Sequence, residues 1–289
     1  MRILAIESSS RNSAVAILDC TAKLSDESPE ILATVFSDAG HSKVLSCEFS
    51  DPNGLKSDIT PKSKPRGTSS TLVPEIDQLL KKHDLTLPQI DLIAIGVGPG
   101  SFTGLRIGVV TAKTLAYATG AKVVGIDTFD NVVCQAIGWS HQSGEANSRI
   151  LGLGGSQADG GDRSKGGDPF NIHIGLDVGR GEVLTAKFMV SGNSFAIDDK
   201  AQIQQPDAWL KSIPPGSLVS GSGVELAMKS APETVNSWNC PPQEYRSPNV
   251  EMTARLGLAQ FLRNGADDFW KLEPTYSRPS YAEESSSGS

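Results

Sequence analysis

Gly96 to Ala116 reads GVGPGSFTGLRIGVVTAKTLA, and this stretch decides the fold. Asp91 to Val97 (DLIAIGV) leads into it as an apolar, β-branched run that suits a buried strand. Glycines at 96, 98, 100 and 104 then allow a sharp turn with close neighbours. Ser101 or Thr103 is placed to cap a following helix, which the pattern carries to about Thr119 and ends at Gly120. One stripe of that helix holds Leu105, Val109, Ala112 and Ala116; a second holds Ile107, Val110, Thr111, Thr114 and Ala118. A helix that covers a sheet needs one apolar stripe. The second implies another partner, from this chain or a different one.

Known loop chemistries do not fit the turn. A P-loop needs Lys-Ser/Thr after its last glycine, and the spacing is not GxGxxG either. A nucleophile elbow around Ser101 would need glycines where Pro99 and Thr103 stand. What remains is a tight strand-to-helix turn with a packing role.

Working outward, Arg2–Ser8, Ser13–Asp19 and Ile31–Ser37 read as three strands of a meander. Ala39 to Gly67 has no periodicity and reads as a surface excursion. A helix follows over about Ser70–His83, with Leu72, Ile76, Leu79 and Leu80 as its main stripe. Lys122–Ile126 is a short strand, and Thr128 caps a helix to about Gly138. Ser140 to Asp168 is rich in Gly, Ser and Asp and reads as a linker.

The second half repeats the order. Phe170–Val178 and Val183–Val190 flank a hairpin turn at Gly179–Glu182, and weaker elements follow to Lys229. Asn249–Asn264 is an amphipathic helix with Met252, Leu256, Ala259 and Leu262 on one side, and the tail from Ala282 is polar. The expected domains are therefore 1–138, a linker over 139–168, and a smaller domain over 169–289.

Composition excludes several classes. The 289 residues hold 26 Lys and Arg against 33 Asp and Glu, a net charge of −7, which argues against a broad nucleic-acid grip. Cysteines at 20, 47, 134 and 240 form no CxxC pair, and histidines at 41, 83, 141 and 173 form no HxxxH or HExxH. Neither metal ligands nor catalytic residues can be assigned from spacing. The start carries no signal-peptide core and no run reaches a membrane span, so the expected compartment is the cytoplasm.

Taken together, ILAIESSSRNSAVAIL, STLVPEIDQLL, IDLIAIGVGPGSFTGLRIGVVTAKTLA, LDVGRGEV and KLEPTYSRPSYAEE resemble the bacterial TsaB (YeaZ) family. The family's motif loop is carried here by Gly98, Pro99, Gly100, Ser101, Phe102, Thr103 and Gly104. The resemblance implies an α/β fold of duplicated actin-like (ASKHA, ribonuclease-H-like) domains. It also implies a non-catalytic dimerisation subunit in tRNA threonylcarbamoyladenosine synthesis.

The implied partner is a TsaD-type catalytic subunit, with tRNA reached only through the complex, a TsaE-type ATPase as a further contact, and a homodimer when the partner is absent. Partner binding through the two N-terminal-domain helices would make Leu72, Ile76, Leu79, Leu80, Ile107, Val110, Thr111 and Thr114 the interface. A charge at Thr111 or Leu79 is then expected to cost association. Such an interface would bury about 1,600 Å². No cofactor is required by this role.

The sequence departs from the family where an RxHS-like stretch is usual: Arg66-Gly67-Thr68-Ser69 stands there. The rival is an actin-like ATP-binding protein with weak ATPase activity. Its loops would be Glu7, Ser8 and Ser9, Asp177 and Gly179, and Gly221 and Gly223, with ATP and Mg²⁺ in a domain or subunit cleft.

Overall fold

The structure is a computed structural model that describes residues 1–10, 13–25, 28–37, 42–46, 68–142, 169–191 and 194–278. The chain divides into two compact units, one of Met1–Asn131 with Pro248–Ser289 and one of Val132–Ser247.

In the first unit, β1 (Arg2–Glu7), β2 (Ala14–Ser25), β3 (Ser28–Ser37) and β4 (Ser42–Ser46) form a meander in which each strand is antiparallel to the next. Helix α1 (Thr68–Lys82), β5 (Leu92–Gly98), α2 (Phe102–Thr119) and β6 (Lys122–Asp127) follow, and β5 lies parallel to both β1 and β6. The sheet order is β4-β3-β2-β1-β5-β6. Period-2 alternation sorts β1 cleanly: Leu4 and Ile6 face one core while Ile3 and Ala5 face another. The first core is closed by Leu72, Ile76, Leu79 and Leu80 of α1 and by Val109, Ala112 and Ala116 of α2.

The opposite face is closed by α7 (Val250–Asn264) through Val250, Ala254 and Leu258. Here the structure differs from the sequence reading, which gave this helix to the second domain and grouped Met252, Leu256, Ala259 and Leu262 on one side of it. Val250, Ala254, Gly257 and Leu258 also follow helical spacing, and their small members allow a closer seat. A Cβ on Gly257 would stand 2.4 Å from the Ala94 Cβ. Leu262 is left exposed.

The second unit holds β7 (Phe170–Asp177), β8 (Val183–Ser191), β9 (Ser194–Gln204), α4 (Pro206–Ser212), β10 (Leu218–Ser220), α5 (Val224–Ser230) and α6 (Pro232–Val235). Its sheet order is β10-β7-β8-β9, with β7, β8 and β9 antiparallel and β10 parallel to β7. The first sheet's β3-β2-β1-β5 and this sheet's β9-β8-β7-β10 have the same order and the same senses. The duplicated actin-like fold expected from the resemblance is present. Trp209 and Trp238 anchor the second core, their rings 5.8 Å apart.

Two boundaries move. Helix α3 (Thr128–Gln142) passes from the first unit into the second, so the division falls inside a helix and residues 139–142 are helical. Strand β4 lies within the stretch read as an excursion. The rest of that stretch (39–41 and 47–67), the linker 143–168 and the tail from 279 lie outside the described residues.

Candidate functional site

The turn after β5 and the turn after β1 pack as one body. Ser101 caps α2 by accepting from Gly104 N–H at 3.3 Å, and its own N–H donates to Ser9 O at 2.6 Å. Gly104 sits where a Cβ would come within 2.1 Å of Ser8 O, and Gly100 where one would come within 2.2 Å of Ser9 O. Glycines spaced four apart therefore form the groove that receives residues 8 and 9. The motif loop Gly98–Gly104 and the Glu7-Ser8-Ser9 turn, read separately from the sequence, are brought together in the first unit. At its other end α2 closes on Gly120 in the left-handed region.

Glu7, Ser8 and Ser9 are all buried. Glu7 Oε1 accepts from Ser9 N–H at 2.9 Å and from the Ser9 hydroxyl, and Oε2 accepts from Thr253 Oγ1 at 2.8 Å. Thr253 in turn receives Asn131 Nδ2 at 2.9 Å. Burial pushes the Glu7 carboxyl above its usual range, against the lowering effect of those hydrogen bonds. At the end of β6, burial chiefly, with Asp130 adding to it, raises Asp127 to about 6.

The fold therefore favours protonated Glu7. That contribution is full below the ordinary pKa of 4.5 and is lost as pH rises from there through the raised folded value. Glu7→Gln keeps an acceptor for Ser9 and offers an N–H to Thr253, whose hydroxyl has Asn249 O as its alternative acceptor at 3.2 Å. The Tm advantage of Glu7→Gln over wild type is expected to grow with pH above 4.5 and then level off. Melts between pH 4 and 8 check this, and a constant difference would contradict it.

In the second unit, Asp177 accepts Gly179 N–H at 2.8 Å, and its own N–H donates to Ser222 Oγ at 2.9 Å. Gly223 N–H donates to Gly175 O at 2.8 Å, while Gly221 holds φ at 103° against that same carbonyl. Asp177, Gly179, Gly221 and Gly223 thus form a second cluster within their own unit. Among the described residues no three His, Cys, Asp or Glu side chains converge as a metal set.

The expected interface separates into two parts. Leu72, Ile76, Leu79 and Leu80 are buried in the first core, with Leu79 only 1% exposed, so the α1 stripe is interior and is not a docking surface. The reason is geometric: α1 has one apolar stripe, and the sheet uses it.

On α2 the second stripe faces out. Val110 is 58% exposed, Thr114 and Ala118 are exposed, and Ile107 and Thr111 are half-buried at its edge. Thr114 Oγ1 donates to Val110 O at 2.8 Å, which satisfies its hydroxyl within the helix. Tyr117, 77% exposed, extends the stripe.

The sequence reading missed Tyr117, Trp270 and Tyr276, and it named Phe102 only as part of the motif loop, not as an exposed aromatic. Phe102 stacks on Tyr276 at 4.6 Å and lies beneath Arg106 at 4.6 Å. The signal was available in the DDFW run after α7, where two aromatics follow two aspartates outside any periodic element. No helix among the described residues is long and apolar enough to cross a membrane.

The family described as TsaD, tRNA N6-adenosine threonylcarbamoyltransferase, matches residues 53–144. The chain is 37% identical over 78 residues to the tRNA threonylcarbamoyladenosine biosynthesis protein TsaB of Haemophilus influenzae, covering 27% of this chain and 33% of that one. It is 44% identical over 69 residues to the tRNA N6-adenosine threonylcarbamoyltransferase of Protochlamydia amoebophila, covering 24% and 20%. An uncharacterised protein of Mycobacterium tuberculosis is 36% identical over 73 residues, covering 25% and 35%.

The chain thus spans about a third or less of the length of the curated relatives it matches. Among solved structures, YeaZ of Pseudomonas aeruginosa superposes with a TM-score of 0.54 at 16% identity, covering 95% of this chain and all of that one. A second Pseudomonas aeruginosa structure, described as similar to peptidase YeaZ, gives 0.57 at 18%, covering 96% and 99%. The fold is that of the YeaZ structures, and the resemblance to the TsaB (YeaZ) family read from the motifs is borne out.

Proposed function

We propose that this chain, with the YeaZ fold and a glycine-rich segment similar to TsaB and TsaD proteins, is a TsaB-type scaffold in tRNA threonylcarbamoyladenosine synthesis. It binds a TsaD-type catalytic subunit and holds that subunit in its active arrangement. It carries out no group transfer itself and meets tRNA only within the complex.

One observation carries this: α2 turns Leu105, Val109, Ala112 and Ala116 into its own core and still exposes Val110, Thr114, Tyr117 and Ala118, with Arg106 the one charged residue on that outer side. A helix used on both sides has a second partner. The TsaD description matches the very segment that contains α2, so the proposed partner brings a related helix to the contact. The same surface would pair two copies of this chain when the partner is absent, as an isologous contact. A TsaE-type ATPase completes the assembly in the cytoplasm.

The rival ATP-binding reading needs Glu7 free for a metal ion. The scaffold reading is supported over it by the bonds that tie Glu7 to Ser9 and Thr253.

Val110→Asp tests the proposal. The substitution is at an exposed site and leaves folding intact, but it buries an unpaired charge on association, a cost of about 3 kcal/mol or more. Co-elution with the TsaD-type subunit on a sizing column is expected to be lost while the melt is unchanged. Full co-elution of Val110→Asp would sink the assignment.

A further inference from the structure

After α7 the chain runs back along α2 over residues 266–278, and its backbone is firmly held. Asp267 N–H donates to Val123 O at 2.9 Å, Gly125 N–H donates to the Asp267 carboxylate at 2.7 Å, and Thr275 N–H donates to Val97 O at 2.7 Å. Leu272 enters the first core, and Lys113 of α2 donates to Leu272 O at 3.1 Å and to Trp270 O at 3.4 Å. Yet Trp270 on this fixed segment is 76% exposed. Its indole meets Phe269 edge-on at 4.9 Å, and Phe269 lies 6.5 Å from Tyr117. An aromatic side chain held out by an ordered backbone has little left to lose on binding. It is the residue type that anchors interfaces.

We propose that segment 266–278 forms the second half of the partner-binding face, with Trp270 as its anchor and the TsaD-type subunit as its occupant. This rests on the function proposed above.

Area is the first argument. The outer side of α2 offers six residues, from Thr103 to Ala118, whereas a stable interface uses about 20–30 a side. The aromatic flank is the adjoining surface through Tyr117.

Charge is the second argument, and it selects protein over RNA. Lys113 is occupied by the segment's carbonyls, Arg106 lies over Phe102, and Lys271 is 3.5 Å from Asp268. Asp267, Asp268 and Glu273 outnumber the segment's Lys271 and Arg278, so it presents no basic excess to phosphate.

Calorimetric titration of the full chain with the TsaD-type subunit tests this, comparing wild type with Trp270→Ala and Tyr117→Ala. Both side chains are exposed, so the melts should match wild type. Trp270→Ala is expected to bind about 30-fold more weakly or worse. Acrylamide quenching of wild-type tryptophan should fall in the complex, and Trp270→Phe should remove most of that protection, since Trp209 and Trp238 are already buried and the half-buried Trp139 of α3 is the same in both proteins.

Wild-type affinity in Trp270→Ala, with binding abolished by Val110→Asp, would overturn the segment's role and leave the scaffold standing. Failure of wild type to bind the subunit would overturn both. Binding of tRNA to the chain alone, lost in Trp270→Ala, would assign the aromatic surface to nucleic acid and refute the proposal.

Discussion

Leu79→Asp is expected to yield no stably folded protein, while Val110→Asp yields a folded one that does not bind. The two positions looked equivalent as members of apolar helix stripes. Leu79 is enclosed with Leu4, Ile17, Leu72 and Ile93 in the first core. Removing its side chain alone costs about 2–5 kcal/mol, since the cavity closes only partly. Adding a carboxylate there brings a desolvation penalty of several kcal/mol per ion with no cation in the core to offset it. Their sum falls within the ~5–15 kcal/mol by which a protein is stable, enough to remove most or all of it. Near-ultraviolet circular dichroism and a thermal melt read the result. A cooperative transition for Leu79→Asp near the wild-type temperature would show that α1 is not seated on the sheet as described.

That contrast shows what the sequence could and could not convey. Periodicity finds an apolar stripe but not what covers it. α1 has one stripe and the sheet takes it; α2 has two, and the surplus is the exposed one. The count of stripes was informative where their composition was not. The succession of elements along the chain was legible because β1, β5 and β6 are apolar runs bounded by turn residues, and the glycine spacing named the tight turn.

The seat of α7 was not legible. Met252, Leu256, Ala259 and Leu262 form a larger apolar stripe than Val250, Ala254, Gly257 and Leu258. The smaller one wins because Gly257 and Ala94 allow helix and sheet to approach. Trp270 escaped for a related reason: its neighbours are contributed by α2, more than 150 residues earlier in the chain.

Gly104→Ala is expected to destabilise the first unit by about 3 kcal/mol, against the intrinsic preference of a helix. Alanine is the better helix former by about 1 kcal/mol, so propensity alone predicts a gain. The added Cβ, however, would stand 2.1 Å from Ser8 O, a contact with backbone that no rotamer relieves. Neither side can yield freely. Ser9 O is bound by Ser101 N–H, Glu7 is held by Ser9 and Thr253, and the Ser101 cap is itself aimed at Gly104 N–H. Backing α2 away by the needed ångström would loosen Leu105 and Val109 in the core and break the cap, each a further loss.

Gly138→Ala supplies the opposite sign in the same protein. It lies within helix α3, and a Cβ there meets nothing within 4 Å, so about 0.5–1 kcal/mol of stabilisation is expected. Melts of the two variants beside wild type read both. If Gly104→Ala melted at or above wild type, the glycine row would have no packing role, and close approach of the two turns would not be the reason the motif carries glycine at that position.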